Sequence, residues 1–90
     1  MVIRAARPLL ARLKALRFKL SRLRRVPAYA IFSDRSLIDM AARLPLTKWD
    51  FGEVHGVGSA KLEQFAGLFL AEISAFVAET AQLRKNAQGA

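Results

Sequence analysis

The first 25 residues, MVIRAARPLLARLKALRFKLSRLRR, hold nine lysines and arginines and no acid. Cations at that density suit phosphate, and an aromatic ring among them, Phe18, suits stacking on an unpaired base. A second stretch, HGVGSAK, sets Gly56 and Gly58 on either side of Val57, ahead of Ser59 and Lys61. Two glycines there expose backbone N–H groups beside a helix N-terminus, where a phosphate is welcome, with Lys61 near enough to assist. The same glycines equally suit a sharp packed turn and nothing more. Elsewhere the chemistry is sparse. The single histidine, His55, has no cysteine or second histidine with which to hold a metal. Ser59 beside it reads as a helix cap, not as a nucleophile. Asp34, Asp50, Glu53, Glu63 and Glu72 are spread over different segments, not gathered as a divalent-metal nuclease requires. A phosphate-cradling G-x-x-x-x-G-K-[ST] sequence is missing from these 90 residues. The expectation is a domain without catalytic residues or a metal.

The elements that must position these groups are helical. Leu9, Leu13, Leu16, Leu20 and Leu23 recur at steps of four and three, so one face of a first helix is apolar. Pro8 suits its first turn and Val26-Pro27 ends it. Placed at about 100° per residue, Arg12 and Lys19 flank the leucines on one side, Arg17 and Arg24 on the other. Lys14, Arg22 and Arg25 point away from the core, and Phe18 lies opposite the stripe. Three readings of Phe18 stay open: a stacking platform, a stray apolar residue on a solvated face, or a contact with the rest of a longer protein. The stretch Tyr29 to Phe32 reads as an extended connector after Pro27.

Ser33 is the expected N-cap of the second helix, with Asp34 in its first turn and Leu37, Met40, Ala41 and Leu44 on its buried side. Pro45 closes it. Thr47 opens a short third helix with Asp50 as an imperfect capping box, Trp49, Phe51 and Val54 as its apolar contacts, and Gly52 inside it. Beyond the glycine turn, Leu62, Phe65, Phe69, Ile73, Phe76 and Val77 hold helical spacing, with Gly67 as a possible division into two helices. The tail LRKNAQGA offers no apolar face and is expected to fray.

Composition narrows the class. At 53% hydrophobic and 24% charged residues the chain is too apolar for disorder. No cysteine is present, so a disulfide framework and a thiol nucleophile are excluded together. The net charge of +8 sits in the first 25 residues, because the remainder carries six cations against seven acids. A basic end on a neutral body implies a polyanionic partner. An organelle presequence has a similar composition, but cleaving it would strip the later apolar helices of a partner. A membrane-surface helix would commit the leucine face to lipid and leave the same deficit.

With these elements placed, the sequence resembles the HRDC domain, the helicase-and-RNase-D C-terminal module. LLARLKALRFKL is similar to its first helix, VPAYAIFSDRSLIDMAARLP to its most specific stretch, TKWDFGEVHGVG to its short helix and glycine turn, and AKLEQFAGLFLAEI to its last helices. The likeness covers about residues 8–78 and is closer to the RecQ-helicase version than to that of RNase D. Two departures are the basic SRLRR ending helix one, where the family often has acidic or mixed residues, and Gly52, where it usually has a larger apolar residue.

The resemblance implies an all-α, compact bundle of about five helices, an orthogonal SAM-like arrangement with a turn like that of helix-hairpin-helix modules. Residues 1–7 would be a flexible lead-in, 8–80 the domain and 81–90 a frayed tail. It implies an auxiliary nucleic-acid-binding module serving DNA repair or recombination, with ATP and magnesium used by a helicase motor elsewhere in a longer chain and no cofactor here. The expected partner is single-stranded or partly unwound DNA, met by Arg12, Lys14, Arg17, Phe18, Lys19, Arg22, Arg24, Arg25 and Tyr29, with Gly56, Gly58 and Lys61 as a phosphate-binding turn. In RecQ-like domains the tyrosine position lies near the proposed strand-binding surface; a buried Tyr29 packing the connector is the other reading. The rival functions are docking on a helicase core or an acidic protein, and service as the HRDC domain of an RNase D-type exonuclease. A monomer, no membrane, and a cytoplasmic, nucleoid or nuclear location complete the expectation.

Overall fold

The computed structural model describes the backbone from residue 2 to 89 and the side chains from 7 to 86. Five helices follow one another: α1 (Val2–Arg24), α2 (Ala28–Ile31), α3 (Asp34–Arg43), α4 (Lys48–Phe51) and α5 (Ser59–Gly89), with no strand among the described residues. The all-α class expected from the apolar spacing is the class observed.

α1 begins at Val2, so Pro8 lies inside the helix instead of in its first turn and gives up one backbone bond there. Leu9, Leu13 and Leu20 are buried and Leu16 is half-buried, but the stripe ends early: Leu23 is 72% exposed. The helix closes as a Schellman motif, with Val26 N–H donating to the Ser21 carbonyl and Arg25 N–H to that of Arg22. Arg25 occupies the left-handed position, at φ 56°, where glycine is the usual residue.

The connector after Pro27 is a single helical turn and not the extended segment expected. The difference has a physical cause. An extended chain would put Tyr29 and Ile31 on one face, whereas the turn sets them nearly opposite. Ile31 and Phe32 are thereby buried while Tyr29 is 73% exposed. α3 starts as read, the Ser33 hydroxyl accepting from Ser36 N–H at 3.1 Å. It ends one residue short of its expected core: Leu44 turns left-handed, at φ 52°, and is partly exposed, before Pro45.

α4 is capped by Thr47, which accepts from Asp50 N–H, and Gly52 forms its C-cap. Only Phe51 of that helix is buried. Trp49, expected in the core, is exposed because it stands two residues from Phe51 on a single turn. α5 runs unbroken through Gly67, so the two helices expected there are one. Its opening carbonyl bond comes from Gly58, to which Leu62 N–H donates, making Ser59 the first helical residue and not the cap. By length and composition α5 could cross a membrane. In the fold its Phe65, Phe69 and Ile73 instead line the protein core.

That core is an aromatic cluster. The Phe32 ring meets Phe69 at 5.0 Å, Phe65 at 5.6 Å and Phe51 at 6.1 Å between centroids, each edge to face. Two ion-pair braces surround it. Arg12 joins Glu72 at 2.6 Å and Glu79 at 2.8 Å, tying α1 to α5. Arg17, only 12% exposed, donates to the Phe32 carbonyl at 3.0 Å and pairs with Asp34 at 2.8 Å.

The glycine turn is pinned to α3 from both sides of its peptide chain. The Ser36 hydroxyl donates to the His55 carbonyl at 2.6 Å, and His55 N–H donates to Asp39 at 2.8 Å. Gly56 is required: its φ is +78°, and a Cβ there would stand 2.6 Å from the Ser36 oxygen. Gly56→Ala should therefore lower stability by about 2 kcal/mol, from left-handed strain and disturbance of the Ser36 bond. Gly58→Ala, with open space around its Cβ position, should cost less, about 0.5–1 kcal/mol from a poorer N-cap, in the same urea titration. Equal losses at the two glycines would contradict this reading.

Asp39 gives the fold a pH dependence. The His55 N–H, and then Arg43, hold its carboxyl below the ordinary carboxylate range. The unfolded chain therefore takes up this proton first. The stabilisation is complete above the unfolded value of about 3.9 and is lost as pH falls through the folded one. Asp39→Asn should be less stable than the parent near neutral pH, with the gap narrowing below about pH 4. Urea midpoints across that range test it, and a gap independent of pH refutes it.

Candidate nucleic-acid interface

The cations of α1 divide into those already engaged and those free to meet a ligand. Arg12 and Arg17, both expected at the phosphate surface, are taken up by the braces to α5 and to the α2–α3 junction. Their structural duty takes both away from the phosphate surface at which they were expected. The Glu79 and Glu72 hydrogen bonds raise the Arg12 pKa, and Arg17 holds the Asp34 carboxyl below its usual range. Neither guanidinium is spare.

Of the other α1 cations expected at the interface, Lys14, Lys19, Arg22 and Arg24 are exposed, on two separated flanks. Lys19 borders a shallow depression with Arg12, Ala15, Leu16 and Glu72, toward the middle of α5. Lys14 lies near Asp34, whose carboxyl it helps to lower. Arg22 covers the outward ring of Phe18, its guanidinium carbon 5.6 Å from the centroid, and Phe18 is 60% exposed. Phe18 thus stands away from the core, as the wheel implied.

The other flank draws separate elements together. Arg24 sits 4.7 Å above the Phe65 ring, and the Lys61 ammonium 5.4 Å above the Phe32 ring. Because Phe32 and Phe65 pack on each other, the C-terminal end of α1 and the first turn of α5 share one face. Cation–π contact fixes where these two charges stand without neutralising them. Arg25 follows Arg24 directly, and Tyr29 projects from α2, two residues beyond Pro27. Spacing in the sequence did not reveal this gathering, because it depends on two buried phenylalanines far apart in the chain.

The glycine turn contributes less than its two glycines suggested. Gly56 serves packing against Ser36 and His55 N–H is consumed by Asp39. Gly58 is the open member, at the start of α5, with nothing within 4 Å of its Cβ position. The first turn of α5 holds no acidic residue. Among the described residues no group of three or more potential ligands could hold a metal ion.

Comparison with known proteins agrees with this architecture. The sequence model of the HRDC domain matches residues 6–73. The ATP-dependent DNA helicase RecQ of Haemophilus influenzae is 36% identical over 78 residues, covering 87% of this chain and 13% of that protein. RecQ of Pasteurella multocida is 40% identical over 62 residues, 69% of this chain and 10% of its own. The helicase UvrD2 of Mycobacterium tuberculosis is 39% identical over 57 residues, 63% of this chain and 8% of its own. The chain therefore spans about a tenth of the length of these relatives. The likeness first drawn from the Val-Pro-x-Tyr-x-Ile-Phe-Ser-Asp segment is borne out, and the chain belongs to the HRDC domain family.

Proposed function

We propose that this domain binds single-stranded or partly unwound DNA on the face formed by the end of α1, by α2 and by the start of α5. It would thereby hold a strand for a helicase motor in the same parent chain, raising the local concentration of that strand in repair or recombination. One observation carries the reading: Arg24 and Lys61 stand on the joined rings of Phe65 and Phe32, and Tyr29, five residues beyond Arg24 in the chain, is exposed. Charges fixed by stacking, together with a free aromatic face, match what an unpaired strand presents: phosphates on one side and bases on the other. Arg25 adjoins Arg24, Gly58 leaves room for a phosphate at the start of α5, and Arg22, Lys14 and Lys19 elsewhere on α1 add to the long-range positive field. Phe18 under Arg22 is a second stacking position farther along α1.

Arg25 adds an argument of its own. A non-glycine residue in the left-handed position of a helix end is strained by about 1–2 kcal/mol. An arginine kept there places a cation at the mouth of this face at the expense of stability. Arg25→Gly should raise the urea midpoint and weaken strand binding together. A variant that gains stability with no loss of binding would remove Arg25 from the interface.

Binding itself is tested by titrating labelled protein with oligothymidylate and following amide shifts. Shifts clustered on Arg24, Tyr29 and Lys61 are expected. Tyr29→Ala should weaken binding by about 1–3 kcal/mol, roughly fivefold to 150-fold. If three to five phosphates are neutralised, log K against log salt should slope about −2 to −3.5. No shifts at millimolar DNA would favour docking on the motor or on an acidic protein.

A further inference from the structure

The outer face of α3 carries a charge pattern that the interface above does not use. Arg35, Asp39 and Arg43 follow at four-residue steps and so form a row along the helix. Ile38, 53% exposed, and Ala42 lie beside that row. With His55 of the glycine turn they line an open groove of about 370 Å³. Its one carboxylate is already engaged, since Asp39 Oδ2 accepts from both His55 N–H at 2.8 Å and Arg43 Nε at 2.9 Å. The Nε bond holds the Arg43 guanidinium by its inner edge and leaves the terminal nitrogens available. Arg35 makes no ion pair among the described residues.

We propose that this groove is a second phosphate site, taking the phosphate of a nucleotide. Two guanidinium forks suit the phosphate oxygens, and the apolar floor of Ile38 and Ala42 suits the attached sugar or base. His55 offers an imidazole at the rim. The part that names the source rests on the strand-binding function above: the nucleotide belongs to the same DNA strand, farther along its path. The turn makes that path short. His55 lines the groove and Gly58 opens α5, and three residues separate their Cα atoms by at most about 11 Å.

The four-residue spacing alone sets Arg35, Asp39 and Arg43 on one helical face. His55 joined it only through folding, when its backbone N–H was drawn onto Asp39.

The test titrates labelled protein with inorganic phosphate, thymidine monophosphate and oligothymidylates of increasing length. Shifts at His55, at Asp39 and at the Arg43 Nε–H are expected with the monophosphate and with the oligomers. Arg35→Glu should abolish them, and Arg35→Gln, which removes charge without reversing it, should weaken them. With long oligomers, Arg35→Glu should also reduce the salt slope by about 0.7, one phosphate's share, while short oligomers bound at Tyr29 are unaffected. Silence in the groove with every phosphate compound overturns the site, even where Tyr29 and Arg24 respond to DNA. A groove that responds equally to monophosphate and oligomer overturns the strand as its source. A groove that responds while the Tyr29 face stays silent keeps the phosphate site and rejects strand binding.

Discussion

The packing of one ring, Phe32, constrains nearly everything else in this domain. It lies edge-on to Phe51, Phe65 and Phe69 and so joins α4 and α5 to the segment between α2 and α3. Its own carbonyl receives Arg17 from α1. A residue in that position fixes four helices at once. Two short helices of four residues each would be unstable alone; here each contributes a buried side chain to the cluster, Ile31 beside Phe32 from α2 and Phe51 from α4. Burial of these side chains holds the turns, and the turns in turn aim Tyr29 and Trp49 outward.

The same constraint explains which charges are available. A helix as basic as α1 could present one continuous cationic surface, but it packs between α3 and α5 and must satisfy both. Arg12 meets the acids of α5, and Arg17 meets Asp34 and a buried carbonyl. Each sits on a flank of the leucine stripe, where a side chain reaches the neighbouring helix more readily than solvent. Arg24, one helical repeat of seven beyond Arg17, lies on the same flank but past the end of that neighbour, over Phe65. Position along the helix, not residue type, separates the bracing arginine from the available one.

Legibility followed the range of the forces involved. The leucine face of α1, the Ser33 and Thr47 caps and the Pro45 stop are local and were readable residue by residue. The Phe32 cluster was not, because its members are separated by up to 37 positions in the chain, from Phe32 to Phe69. Two misreadings share that origin. Tyr29 to Phe32 looks extended by composition, yet burying Ile31 and Phe32 together requires a helical turn. Trp49 looks like core by size, yet α4 is too short to bury both it and Phe51. The unbroken α5 is a third case: Gly67 costs the helix about 1 kcal/mol, and burial of Phe65, Phe69 and Ile73 on either side of it outweighs that amount.

The glycine turn shows how one local device serves two surfaces. Its conformation is dictated inward, by Ser36 against Gly56 and by Asp39 on the His55 N–H. Those contacts fix the direction in which α5 leaves the turn, and hence where Lys61 meets the Phe32 ring. They also bring His55 to the row of Arg35 and Arg43. Asp39 is the common element: it neutralises no ligand charge, but its two hydrogen bonds set the turn and orient Arg43 together. Loosening that carboxylate would therefore disturb the start of α5 and the α3 groove at once, although neither surface contains it as a ligand-binding group. The corner between the two surfaces is thus set by hydrogen bonds at the His55 backbone, from Ser36 and to Asp39, and by no group of either surface acting alone.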